Sequence, residues 1–202
     1  MPPAVSMSNF ENQVLATPVP ALIKCFSQGF LTFFFASAIN AAVAPPLRIS
    51  SADIHIELSP RTPNQMAAFY EARGFPAEMI ELLKQQCFIT VRIHNQRDDS
   101  AWLELANWSF SHAGKPLQRL HRDAWQQRWQ DMNMPMSSRA TFRWTLLPES
   151  LDYLPDEEEG GNIILPRVDG GIVLHAEFKT GADKRGPVIT IDSPEFSCAE
   201  NP

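Results

Sequence analysis

The chain has 202 residues, 44% of them hydrophobic and 20% charged, with a formal net charge of -6. That supports one domain with a real core and excludes disorder by composition. The acidic balance, without any Lys/Arg run, argues against nucleic acid as the partner; a membrane enters only through the N-terminal segment.

That segment is residues 1–44. From Phe26 to Ala44 no residue is charged, and one cation, Lys24, precedes the run. An apolar centre followed by small residues resembles a secretory signal peptide, with Ala36-Ser37-Ala38 as the better cleavage motif and Ala42-Val43-Ala44 disfavoured by Pro45. The competing readings are an uncleaved anchor, since nineteen uncharged residues can just span a bilayer, and a buried helix. The expected organisation is therefore a leader or anchor over 1–44 and a single domain over 45–202. The expected location is periplasmic or secreted, with attachment to the inner membrane, facing the periplasm, as the alternative.

In the domain, Asp53 to Leu58 alternates strictly, with Ile54, Ile56 and Leu58 on one face of a half-buried strand. Thr62-Pro63-Asn64-Gln65 is a capping box that starts a helix running to Arg73, which Gly74 stops. Pro76 starts a second helix over 77–86, and the two make a short helical hairpin. Cys87 to Asn95 and Ala101 to Phe110 read as two strands joined by a hairpin turn at Gln96–Ser100, with Ile89, Val91 and Ile93 facing the core. The second strand is apolar on both faces, so it is either covered twice or changes face at a bulge near Asn107.

Leu117 to Leu120 reads as a short strand. Asp123 is the expected cap of a helix through Met132, with Trp125 and Trp129 stacked at i, i+4. Thr141 to Leu147 alternates and reads as a strand, followed by a long acidic loop over 148–161. Asn162–Leu165, Ile172–Lys179 and Val188–Ile191 are the last strands. About eight short strands define a mainly β fold with helical insertions near 63–86 and 123–132, and their turn spacing indicates an antiparallel β-sandwich.

Three phrases go further: Phe-Ile-Thr-Val-Arg-Ile-His-Asn at 88–95, Trp-Thr-Leu-Leu-Pro-Glu at 144–149, and Glu-Glu-Glu-Gly-Gly-Asn-Ile-Ile-Leu-Pro at 157–166. Together they resemble secreted bacterial immunoglobulin-like sandwiches, in which a strand ends in Asn and an acidic turn leads into a late strand. The resemblance covers roughly 87–192 and implies the fold alone.

Loss of the leader would remove Cys25 and leave Cys87 and Cys198, a candidate disulfide in an exported chain; the alternative is two unpaired thiols. Met132, Met134 and Met136 are soft thioether ligands that, with His121, could hold copper(I), although methionines equally fill gaps in a core. His55, His94 and His175 each lie opposite the apolar face of a strand and could meet on one sheet surface. Asp156, Glu157, Glu158 and Glu159 form an acidic run without EF-hand spacing, which with Trp125 and Trp129 is a candidate interaction surface. Packing under the helix is the ordinary use of such tryptophans. Hydrolase and P-loop signatures are absent. The expected function is a non-catalytic binding protein of the bacterial envelope, without a cofactor, whose partner is another envelope protein. A copper-handling protein and an enzyme of unrecognised type are the alternatives.

Overall fold

The computed structural model describes residues 45–202. The leader, its cleavage motifs and Cys25 lie outside the described residues. Two antiparallel sheets face each other across one apolar core. The first holds β1 (Leu47–Ser51), β2 (Ile54–Arg61), β3 (Gln86–Asn95) and β8 (Glu158–Pro166), in the order β1-β2-β3-β8. The second is built on β9 (Ile172–Thr180). On one side β9 pairs with β10 (Ile189–Asp192); it also pairs with β4 (Ala101–Glu104) and β5 (Ser109–His112). β7 (Ser150–Tyr153) pairs with β4, and β6 (Lys115–Leu117) with β5.

The alternation read from the sequence sets the inward face. Ile54, Ile56 and Leu58 of β2 and Ile89, Val91 and Ile93 of β3 are all buried in the inter-sheet core, opposite Leu103, Leu174, Ala176 and Phe178. The apolar character of both faces of the 101–110 run has a local cause. Leu105–Asn107 forms a 3-10 turn between β4 and β5. Ala101 faces Thr180 and Leu103 faces Phe178 before it, whereas Ser109 faces His175 and His112 faces Ile172 after it. The register slips by the three residues of the turn. An odd slip exchanges the faces, so Leu103 points inward before it and Trp108 and Phe110 point inward after it.

The expected hairpin at Gln96–Ser100 is corrected: β3 and β4 belong to different sheets, and this segment arches across the sandwich. Both strands keep an apolar face, but they present those faces to one core from opposite sides. Asn95 fixes the arch. It is fully buried, and its Nδ2 donates to the carbonyls of Asp99, Tyr153 and Leu154 at 2.8, 3.0 and 3.1 Å.

A second core lies on the outside of the first sheet. Here α1 (Pro63–Glu71), α2 (Ala77–Lys84), α3 (Arg122–Asp131) and α4 (Met136–Thr145) cover Phe88 and Ile164 with Tyr70, Met79, Leu83, Trp125, Trp129 and Phe142. The α1 capping box is present, with Thr62 Oγ1 accepting from the Gln65 N–H at 3.1 Å and Gln65 Oε1 from the Thr62 N–H at 3.0 Å. Gly74 adopts φ +68 after α1.

The expected strand at Thr141–Leu147 is corrected to α4. Phe142 and Leu146 are two steps apart in a strand and one turn apart in a helix, so they fit both readings. Trp144 decides: in a helix it lies on the far side, and it is 84% exposed. The long acidic loop is likewise corrected, because β7 and the start of β8 lie within it. Glu158, Glu159, Gly160 and Gly161 are poor strand formers, and pairing with β3 holds them extended.

Candidate functional site

The helices cover only half of the first sheet's outer face. Past Thr90 the face is open and polar. One row across the strands reads Arg48, Glu57, Arg92; the next reads Ser50, His55, His94, Glu158. These residues line a groove of about 270 Å³. Its charges are paired off: Arg48 Nε meets Glu57 Oε2 at 2.9 Å and an Arg92 N–H meets Glu158 Oε1 at 3.0 Å. The His55 and His94 ring centroids stand 6.4 Å apart. His94 Nε2 lies 3.0 Å from Asp156 Oδ1 and its Nδ1 3.3 Å from Gln96 Nε2.

Of the acidic run, Glu158 lines this groove and Asp156 reaches it through His94. Asp156 turns the chain at φ +62, Glu157 accepts from the Leu154 N–H at 2.7 Å, and Asp156, Glu158 and Glu159 are exposed. His175 does not join the pair. It lies on the second sheet, facing Ser109 on one side and Asp192 on the other. The hydrogen bond that its Nδ1–H donates to Asp192 Oδ1, at 2.7 Å, raises its pKa above the ordinary value.

The helical layer places the other candidates. Trp125 and Trp129 stack at 5.3 Å but are 1% and 0% exposed, so they are corrected from the interaction surface to the core under α3. The space beside Trp125 is about 10 Å³, room for at most one water. Met132 and Met134 pack against this core and Met136 is exposed. His121 occupies the N-cap of α3 and Met132 its C-cap. At 1.5 Å per residue they are about 16 Å apart, and the helix keeps His121 from the thioethers. Among the described residues no group of three or more His, Cys, Asp or Glu is arranged to hold a metal ion.

Asp123 is not the expected cap; it sits inside the first turn of α3. Glu149, in the segment just before β7, takes the role by accepting from the Arg122 N–H at 2.9 Å, while Arg119 donates to both of its oxygens. Burial pushes the Glu149 carboxyl up, but these donors outweigh it and hold its pKa below the ordinary value.

Cys87 and Cys198 are joined as a disulfide, with Cα atoms 5.4 Å apart, and both are buried in the inter-sheet core. The link ties the C-terminal tail to the start of β3.

Sequence reasoning missed one surface. On α4, Met136, Ala140 and Trp144 recur every four residues and are all exposed, Met136 by 74% and Trp144 by 84%. Five arginines and two aspartates lie between 119 and 145, on a chain that is acidic overall. Arg143, beside Trp144, pairs with Asp123 at 2.8 Å. A 3.6-residue reading of 136–145 would have exposed this stripe. No helix among the described residues is long and apolar enough to cross a membrane. No family model matches the chain, and no curated protein or solved structure matches it either.

Proposed function

We propose that this chain is an exported, non-catalytic binding module of the bacterial cell envelope that grips a partner protein through the outer face of α4. The observation that carries the reading is Trp144, the most exposed large apolar side chain among the described residues, in line with Met136. Tryptophan and methionine are enriched at interface centres, and an exposed tryptophan is a common energetic focus of protein recognition.

Export is supported by the Cys87–Cys198 link, which oxidising compartments maintain, and by the leader-like composition of 1–44. An immunoglobulin-like topology is supported by strand order. β2-β3-β8 correspond to A-B-E, β4-β9-β10 to C-F-G, and the chain changes sheet at β3→β4 and β8→β9 as that Greek key requires. The four helices would then be additions that create a recognition face on a sandwich lacking one.

The test is a photo-cross-linking residue placed at position 144 in the native host. The expected result is one discrete envelope-protein adduct, and Trp144→Ala should weaken binding to that purified partner about 30-fold, the equivalent of about 2 kcal/mol. A cross-linker at 144 that gives only monomer, or an affinity unchanged by Trp144→Ala, contradicts the reading.

A further inference from the structure

The exposed row on α4 has a symmetry that bears on what it meets. Met136 and Trp144, its two large side chains, stand at equal distances in sequence from Ala140, its small one. At about 100° per residue, each four-residue step drifts by about 40°, so the three positions form one stripe about 80° wide. Resting on the α4 reading, we propose that the partner is a second copy of this chain, docked α4 against α4 about a two-fold axis that passes by Ala140.

A two-fold interface uses the same patch twice, so each residue must suit the one that symmetry sets opposite it. With the two helices antiparallel, Ala140 faces Ala140 of the second copy, and Met136 faces Trp144 of the second copy. The small side chain at the crossing lets the helix axes approach to about 8 Å. The thioether then lies against the indole ring at both ends of the contact, a favourable pairing. Charge agrees with this arrangement. The exposed residues of α4 are Met136, Ser137, Ala140, Arg143 and Trp144. None of them is acidic, although the chain has a formal net charge of -6. Arg143 is paired with Asp123 of its own chain and comes opposite Ser137 of the second copy, so no like charges oppose each other along the stripe.

Area sets the strength. At 84% exposure Trp144 alone offers about 200 Å². With Met136 and the smaller residues the face gives about 450 Å² per copy and about 900 Å² for the pair, the size of a weak, reversible interface.

Sedimentation equilibrium of the oxidised chain tests this. The expected result is a reversible dimer with a Kd of about 10–100 μM, weakened by more than about 30-fold in Trp144→Ala, which removes two anchors from one interface. Under mild oxidation Ala140→Cys should link two chains through its new thiol, whereas Lys115→Cys, at an exposed position on β6, should not. A chain that stays monomeric well above that concentration range overturns the proposal, as does a dimer that survives Trp144→Ala. A photo-cross-linker at 144 separates the dimer from the reading beneath it. An adduct of two copies supports both. A different protein in the adduct overturns the dimer and leaves the α4 reading standing, and no adduct overturns both.

Discussion

From a fully buried position Asn95 meets four backbone groups: its two Nδ2 hydrogens reach three carbonyls, one hydrogen being shared, and its Oδ1 accepts from the Arg97 N–H at 3.2 Å. Replacing it by Ala leaves carbonyls on both sides of the arch without a partner, and we predict a loss of about 3 kcal/mol in urea unfolding. The pH response rests on two other residues. Hydrogen bonds from Lys184 and Lys179 lower the Glu104 pKa from 4.5 to about 2. A depressed carboxyl stabilises the fold above 4.5, and that contribution disappears as pH falls through about 2. Glu104→Gln should therefore lower the urea midpoint at neutral pH and converge with the parent at the acid end. His175 has the opposite sign. Its raised pKa gives stability that is complete below 6.5 and lost as pH rises through the folded value, so His175→Gln should cost stability at pH 5.5 and little at pH 9.

Among the elements, α3 and α4 show how differently two tryptophan-bearing helices act. Trp129 is fully buried beside Trp125 and Phe142, and Trp129→Ala should cost about 3–5 kcal/mol. Trp144→Ala should stay within about 0.5 kcal/mol of the parent, because the side chain touches little. The pair separates the packing role from the docking role in one denaturation series. The same helices mark the limit of what was legible. Period-two runs in β2, β3 and β9 and the Thr62 capping box could be read directly, because each is a local signal. The α4 helix could not, because Phe142 and Leu146 satisfy both periods over so short a span. The α3 cap came from Glu149, twenty-seven residues from the N–H that it accepts. The meeting of His55 with His94, apart from His175, depends on which strands share a sheet, and no local pattern states that.

For the whole molecule, the disulfide closes a span of 111 residues between β3 and the C-terminal tail. In the chain-entropy model such a loop is worth about 4–5 kcal/mol, and Cys198→Ser should lower the unfolding free energy by about that amount. The organisation that emerges is a two-sheet core whose first sheet is divided. One half is roofed by helices that present Trp144, and the other is an open polar groove holding His55 and His94. Export, oxidation and binding belong together in this account, since the recognition surface would serve a domain built for an oxidising compartment. The most direct test is the intact mass of the chain recovered from its native host, with a thiol count on the unfolded, unreduced protein. We predict a species lacking the leader, two hydrogens lighter than its reduced form and without free thiols, in the periplasmic fraction. A full-length, fully reduced chain in the cytoplasm would contradict the account.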